Sequence, residues 1–222
     1  MILFETIDGL LVRRFQGASL DWWNTATRGT FDRILFLGAF SGAGRRLGRG
    51  VVDESSQLPV TWAEQGFVAL GRPWAELGRV GMLLSLPARM PAPELQPLVA
   101  EAYRTGDLNE KQAVLRALAF LPDAMAFLEI AADGARSNAL AIVEAVTCDN
   151  PYPSQYFSED ALNQMTMKAL FNQLPLARFV GLPSRMNADL IRMARDYGNE
   201  RRAAGRSISQ DLAMLEQEGR AP

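Results

Sequence analysis

The feature that most constrains this chain is a series of short apolar repeats, each closed by proline or glycine, that begins at Arg72. Between these breaks apolar residues recur at the spacing of a helix, as Leu95 and Leu98 do, and the alternation typical of strands is rare. Asp107 with Glu110 three residues later forms a capping box, a signature of helix N-termini. The pattern therefore predicts an all-α fold.

A weak internal repeat suggests how the helices are paired. One predicted helix ends at Leu86-Pro87, and another ends about 35 residues later at Leu121-Pro122. A period of this length is typical of stacked helical pairs, which cannot bury their apolar faces alone. We expect antiparallel helical hairpins that either pack as a HEAT-like right-handed array or close into a compact helical bundle.

The whole chain, residues 1–222, is expected to form a single all-helical domain. Within it, residues 72–218 form the array of helical pairs, and residues 219–222 form a tail. The helical pattern is weaker in residues 1–71, which we expect to be N-terminal helices without a firm domain boundary.

Three helices are expected in this N-terminal region, around Phe4–Phe15, Leu20–Thr27 and Phe31–Leu47. The stretch Gly42–Gly50 is rich in glycine and arginine, and glycine is a strong marker of turns and loops. We therefore expect a loop there.

Composition and charge exclude several classes of function. With 23 basic and 25 acidic residues the net charge is −2, which provides no broad electrostatic field for a nucleic acid or an anionic bilayer. The longest weakly charged run, Ile34 to Gly44, is much shorter than the roughly 20 residues of a membrane-spanning helix. We expect no nucleic-acid partner and no membrane insertion.

The residues that usually carry catalysis or bind metals are scarce. Histidine is absent, which excludes imidazole catalysis and the usual serine and cysteine triads. Cys148 is the only cysteine, so no internal disulfide or thiolate cluster can form, and a cytoplasmic location is expected. No aspartate pair has metal-binding spacing and no nucleotide-binding motif of high specificity occurs. We expect neither a metal nor another cofactor.

The stretch from Glu144 to Phe171 is the most informative about function. A helix that carries Glu144 leads into the turn Asn150-Pro151-Tyr152-Pro153, whose two prolines make it stiff. The turn is either only a rigid connector or a device that holds Asn150 and Tyr152 over a pocket. In the second case Tyr156 supplies a wall of that pocket.

The helix that follows places Gln164, Lys168 and Phe171 on one face, at i, i+4 and i+7, and Asn163 on the neighbouring face. If Lys168 faces inward, desolvation lowers its pKa and makes it a base, an amine nucleophile, an anion ligand or a member of a buried ion pair. If it faces outward, it is a solvated lysine. Glu144, on the preceding helix, is a carboxylate that could pair with it.

One set of residues in this region and beyond it carries a family pattern: Glu144-Ala145, Asn150-Pro151-Tyr152-Pro153, Tyr156-Phe157, Asn163-Gln164, Lys168-Ala169-Leu170-Phe171, Pro175-Leu176, Val180-Gly181-Leu182, Asp196-Tyr197, Glu200-Arg201 and Ala203-Ala204-Gly205-Arg206. In these residues the chain resembles the EboA family, helical proteins of bacterial secondary-metabolite clusters. The resemblance implies a cytoplasmic protein encoded beside prenyltransferase-like and sugar-metabolism-like enzymes and associated with making or exporting a small metabolite. The chain departs from the family pattern at Asp149 and at Asn199, where members carry histidine, and at Leu162 and Arg202, where they carry tryptophan.

Our leading hypothesis from the sequence is a protein of secondary metabolism that binds a small, largely apolar intermediate and carries out metal-free cyclisation, isomerisation or lyase chemistry. Asp149 or Glu144 would move protons, and Lys168 would hold developing negative charge. The expected substrate-binding side chains are those of Asn150, Tyr152, Tyr156, Asn163, Gln164, Phe171 and Tyr197.

The alternative hypothesis is a non-catalytic carrier of small molecules, or an adaptor whose helical surface docks a pathway enzyme. Whether the chain is an enzyme stays open at this point. A homo-oligomer is compatible with either hypothesis.

Overall fold

The computed structural model describes residues 2–56, 58, 62 and 66–218. Over these ranges it contains twelve α-helices and no strand, so the all-α prediction is confirmed. The predicted tail, 219–222, lies outside the described residues, and across the described ones no helix combines the length and the apolar character that a bilayer span needs. The helices are α1 (Ile2–Arg14), α2 (Ala18–Arg28), α3 (Arg33–Leu47), α4 (Trp74–Ser85), α5 (Ala92–Thr105), α6 (Leu108–Ala117), α7 (Leu128–Arg136), α8 (Leu140–Thr147), α9 (Tyr152–Tyr156), α10 (Glu159–Phe171), α11 (Ala188–Ala203) and α12 (Gln210–Glu218).

Side-chain caps begin several helices where the sequence indicates them. The carboxylate of Asp107 accepts a hydrogen bond from the backbone N–H of Glu110, whose own carboxylate accepts one from the N–H of Asp107. The predicted capping box of α6 is therefore confirmed. Ser158 caps α10 and Asn187 caps α11 in a similar way, each accepting from a backbone N–H. These bonds satisfy amides that have no acceptor within the first helical turn.

The loop expected over Gly42–Gly50 is wrong for its first part, because α3 continues through Leu47. Gly42 and Ala43 are buried against the rest of the protein. The helix ends only at Gly48, whose φ of +73° lies in the left-handed region that glycine adopts readily. Packing of the buried face thus outweighs the low helix propensity of the glycines.

Helix α4 lies at the centre of the fold, packed against α1, α2, α3 and α6, and every residue of it except Leu84 is buried. Gly81 permits this close packing: a Cβ atom there would lie 2.8 Å from Ile7 Cγ2 of α1 and 2.7 Å from the ring of Trp23 of α2. Helix α6 packs in turn on α8, and α11 packs on α12. The HEAT-like arrangement of these pairs and the single domain stay predictions.

Helix α1 runs antiparallel to α4. Phe4 at the start of α1 and Leu84 at the end of α4 line the same cavity. At the other end, Phe15 follows α1 and meets Trp74, the first residue of α4, edge to face with ring centroids 5.7 Å apart. At 1.5 Å per helical residue, these two ends are about 15 Å apart.

Candidate functional site

Asp149, a predicted proton-transfer group, lies in the turn between α8 and α9 and is held by two arginines. Its φ of +52° is left-handed, a conformation that aspartate tolerates better than most residues. Its Oδ2 accepts hydrogen bonds from Arg72 Nη2 at 2.9 Å and from Arg178 Nε at 3.0 Å. Its backbone N–H donates to the carbonyl of Arg178 at 2.7 Å. The carboxylate therefore serves as the acceptor of two ion pairs.

Glu144, the second predicted proton-transfer group, also contacts Arg178. Its Oε1 lies 2.7 Å from Arg178 Nη1, so Glu144 pairs with this arginine and not with Lys168. Hydrogen bonds to Asp149, and then to Glu144, raise the pKa of Arg178 above its ordinary range despite partial burial. The guanidinium thus stays charged between the two carboxylates.

These pairs belong to a larger ion network formed by Arg72, Glu76, Arg116, Glu144, Asp149 and Arg178. Glu76 Oε1 lies 3.5 Å from Arg72 Nη1 and 2.7 Å from Arg116 Nε, although the N–H of Arg116 is not aligned for a hydrogen bond. Burial lowers the pKa of Arg116 to about 10. Three guanidiniums balance three carboxylates, so each buried charge has a partner of opposite sign.

Asn150 and Tyr152, predicted to bind substrate, are buried within the core. Asn150 Nδ2 donates to the carbonyls of Leu115 at 3.1 Å and Ala145 at 2.9 Å, and its Oδ1 accepts from the N–H of Tyr152 at 3.0 Å. The Tyr152 hydroxyl donates to the carbonyl of Ala124 at 2.7 Å. Both side chains join segments that are distant in sequence, and their polar atoms are occupied.

The remaining polar residues of the predicted site lie on α10. Asn163 exchanges hydrogen bonds with Asn187, the cap of α11, so it fixes one helix to the next. Gln164 and Lys168 line a cavity of about 310 Å³ between α7 and α10. Lys168 Nζ donates to the carbonyls of Ala135 at 2.9 Å and Ser137 at 2.6 Å, and burial lowers the pKa of this amine.

The predicted aromatic residues lie in two other places. Tyr156 packs on buried Tyr152 with ring centroids 4.7 Å apart. Phe171 is 55% exposed and meets Tyr197 edge to face at 4.4 Å, beside a separate cavity of about 230 Å³ that Arg201 also lines. The predicted site residues are therefore divided among the core, the ion network and two small cavities, and do not converge on one hollow.

A larger cavity of about 720 Å³ lies where α1 and α2 meet the ends of α4 and of the turn that follows α6. We call it the apolar cavity. It has more than twice the volume of either cavity beside α10. Its apolar lining includes Phe4, Leu84, Pro87, Ala119, Phe120 and Pro122.

The polar side chains that the structure describes in the lining of the apolar cavity are all engaged with the protein. The hydroxyls of Thr27 and Ser85 donate to carbonyls of their own helices at 2.8 and 2.7 Å. Arg89 donates to the carbonyls at the end of α2, and burial lowers its pKa. Arg28 pairs with Asp8 at 2.5 Å. Among the described residues that line the cavity there is no carboxylate, lysine or cysteine, and its two arginines direct their donors to protein oxygens, so it offers mainly apolar surface.

Sequence reasoning missed this cavity, although one signal was present. Both Leu-Pro helix ends of the internal repeat, Leu86-Pro87 and Leu121-Pro122, contribute residues to its wall. The repeat by itself indicates only that helices are paired. Two helices that both end beside this cavity leave space between their ends, which side chains must fill or leave open.

No metal centre is indicated by the geometry. Within the described ranges no three aspartate, glutamate or cysteine side chains come close enough together to hold an ion. Cys148 is buried, and burial raises the pKa of its thiol. A thiol of this kind behaves as a small apolar group and not as a reactive nucleophile.

Fold and cavity together define an all-helical protein with an apolar pocket between helix ends. The chain belongs to the EboA family: the family's sequence profile, described as metabolite traffic protein EboA, matches residues 4–216. The resemblance inferred mainly from the C-terminal part is thereby confirmed and extends over the N-terminal helices. Membership supports a metabolite-related role. Comparison with curated proteins and comparison with solved structures found no match.

Proposed function

We propose that the protein is a non-catalytic carrier that binds a small, largely apolar and uncharged metabolite in the apolar cavity. The observation that carries the proposal is the lining of this cavity: it is mostly apolar, and each of its polar side chains already has a partner in the protein. A cationic ligand would lose its hydration there without gaining a counterion, and an anionic one would have to draw Arg89 away from the carbonyls of Ala26 and Gly29. A volume of about 720 Å³ lies within the range of small-molecule pockets, roughly 300 to 1,000 Å³.

The placement of the predicted acid and base groups favours carriage over catalysis. Asp149 and Glu144 are engaged by Arg72 and Arg178, and neither lines the apolar cavity. A general base must reach the proton that it removes, within about 3.2 Å or through one water. Neither carboxylate meets that condition for a ligand in the apolar cavity.

Catalysis at the cavity of about 310 Å³ between α7 and α10 is the second candidate. Lys168 and Gln164 line that cavity, and burial lowers the pKa of the amine, as a lysine base requires. Two carbonyls hold the ammonium group, however, and a base would have to leave them.

The cytoplasmic location, a homo-oligomer and a pathway-enzyme partner stay predictions of the sequence.

Filling one cavity at a time distinguishes the two candidates. The probe is the neutral dye Nile red, whose fluorescence rises in apolar surroundings. Ala119→Phe places a ring in the apolar cavity, and Ala135→Phe places the same ring in the cavity that Lys168 lines between α7 and α10. We expect the first variant to lose at least tenfold in dye affinity, about 1.4 kcal/mol, and the second to bind as wild type. The reverse pattern would assign the ligand to the Lys168 cavity.

Turnover is tested separately with extracts of the producing pathway. The purified protein is incubated with extract, reisolated and stripped, and the retained small molecules are compared by mass spectrometry with those of the starting extract. A carrier returns its ligand unchanged in mass, chromatographic retention and fragmentation pattern; the last two also reveal an isomer or a cyclised product of equal mass. A product that forms with wild type and not with Lys168→Met would show catalysis and contradict the proposal.

A further inference from the structure

Another cavity lies at the end of the α1 and α4 pair that is opposite to the apolar cavity, and its lining is polar and charged. Its volume is about 480 Å³, and we call it the arginine cavity. Residues from the end of α1, the start of α4 and the turn at Glu54–Ser56 surround it. The lining residues on which its chemistry depends are Leu10, Arg13, Arg14, Asp53, Ser55 and Trp74.

The indole of Trp74 carries an N–H donor that the described residues leave without an acceptor. Its side chain is buried, with 3% exposure, yet its Nε1–H has no acceptor among the described residues. Buried indole N–H groups usually have one, as Trp23 has in Asp8 at 2.8 Å. Unlike the sealed nitrogen of Trp62, the Trp74 nitrogen retains some access. Because Trp74 lines the cavity, a bound molecule can supply the acceptor.

The position of this indole is fixed by the surrounding fold. Its backbone N–H donates to the carbonyl of Gly50 at 3.0 Å, and Val51 bridges to Pro73. Phe15 packs against the ring at 5.7 Å. The donor is therefore held in place before any ligand arrives, which reduces the entropy lost on binding.

The charged groups of the cavity favour an anion. Arg13 and Arg14 are exposed, and within the described part of the chain neither is within ion-pair distance of a carboxylate. Asp53 accepts from the Ser55 hydroxyl at 2.5 Å, and this bond, followed by one from Ser56, lowers its pKa. Among the described residues that line the cavity, two guanidiniums against one carboxylate leave one net positive charge. The carboxylate adds an acceptor for a ligand hydroxyl.

We propose that the arginine cavity binds a small organic anion, a carboxylate or a phosphate ester, that also carries a hydroxyl group. Arg13 and Arg14 hold the anionic oxygens, the Trp74 indole N–H donates to one of them, and Asp53 accepts from the hydroxyl. Apolar contact with Leu10 and the indole limits the ligand to a small molecule. This site goes beyond the proposed carrier function, because it lies about 15 Å from the apolar cavity along α1 and selects the opposite chemistry.

The test follows the indole directly. The chain has four tryptophans, so a nitrogen–proton correlation spectrum resolves four indole signals, and Trp74→Phe identifies the signal of Trp74. Inorganic phosphate and lactate are titrated in turn, with sodium chloride keeping the ionic strength constant. We expect a saturable shift of the Trp74 signal with at least one of them. The tighter of the two identifies the source as a phosphate ester or a hydroxy acid.

Two double variants, each of which removes two positive charges, show whether binding depends on the arginines of this cavity. Arg13→Gln with Arg14→Gln should weaken binding at least tenfold, because the charge-assisted hydrogen bonds are lost. Arg45→Gln with Arg46→Gln removes the same charge from exposed residues of α3 that do not line the cavity, and should leave affinity unchanged. Asp53→Asn should strengthen phosphate binding, since it removes a repulsive charge.

Two results would overturn the proposal. The first is a Trp74 signal that responds to neither anion beyond the chloride control. The second is an equal loss of affinity in both arginine pairs, which would reduce the effect to general charge attraction. Neither result bears on Nile red binding, so failure of this site and failure of the carrier function are distinguishable.

Discussion

Replacing Asn150 by alanine separates a structural role of this residue from a role in ligand binding. Its side chain is 2% exposed and makes three hydrogen bonds, to the carbonyls of Leu115 and Ala145 and from the N–H of Tyr152. These bonds join α6, α8 and the turn that leads into α9. The substitution therefore leaves three buried backbone groups without this partner.

The expected cost follows from those bonds. A buried hydrogen bond contributes about 1 kcal/mol net, so three of them amount to about 3 kcal/mol. Domains are stable by roughly 5–15 kcal/mol, so this is a large fraction of the total. For a chain of this length the melting temperature should fall by about 6–12 °C.

The measurement is urea unfolding followed by far-ultraviolet circular dichroism, with slope and midpoint fitted for wild type and variant. Asn172→Ala is the matched control: the same substitution on an exposed residue, which loses one bond of 2.8 Å to the carbonyl of Lys168. We expect the control to change the free energy of unfolding by less than about 0.5 kcal/mol.

A loss below about 1 kcal/mol for Asn150→Ala, together with weaker ligand binding, would refute this reasoning. It would mean that the side chain can leave its three partners at little cost. The interpretation of Asn150 as a substrate-binding residue would then be restored.

Three further substitutions test the packing and the charges. Arg116→Ala should lose about 3–5 kcal/mol, because it leaves Glu76 buried without its main partner. Tyr152→Phe should lose about 1 kcal/mol at neutral pH. Burial raises the pKa of Tyr152 above its ordinary 10.0, so above that pH the unfolded chain releases a proton that the folded protein keeps, and stability falls. The free energy of unfolding of Tyr152→Phe should therefore fall less steeply with rising pH than that of wild type. Gly81→Ala should lose about 1–3 kcal/mol through overpacking.

All three are measured by urea unfolding, Tyr152→Phe at neutral pH and at a series of values above pH 10. Arg192→Ala breaks exposed ion pairs and should lower the free energy of unfolding by less than about 0.5 kcal/mol. An equally small loss for Arg116→Ala would contradict the buried ion network. Gly44→Ala, where an added methyl group meets nothing within 4 Å, should stabilise slightly through helix propensity. A gain at Gly81 as well would contradict the tight packing of α4.

Local features of the fold were predictable from sequence because their causes are local. Asp107 and Glu110 meet across a single helical turn, so spacing alone identified their capping box. The glycines from Gly42 onward were misinterpreted for a related reason. Their propensity favours a loop, but the burial of Gly42 and Ala43 depends on α4, which is distant in sequence.

The candidate site depended on distant contacts, and there the prediction was weakest. Polar residues beside prolines and rings suggest a pocket, but a buried asparagine that ties helices together has the same local sequence. Asp149 could be recognised as exceptional, whereas its partner Arg72 lies 77 positions away. The apolar cavity is a space between helix ends, and no residue pattern encodes a space that only tertiary packing creates.

The ion network has a consequence for attempts to dissect the protein. Glu76 comes from the central helix α4, Arg116 from α6, and Glu144 and Arg178 from later segments. A fragment that started after Ser85 would keep Arg116 in a hydrophobic surrounding without its closest counterion. Such a truncated chain should refold only when the missing N-terminal piece is supplied in trans, so fragment complementation is a direct readout of how strongly the two halves depend on each other.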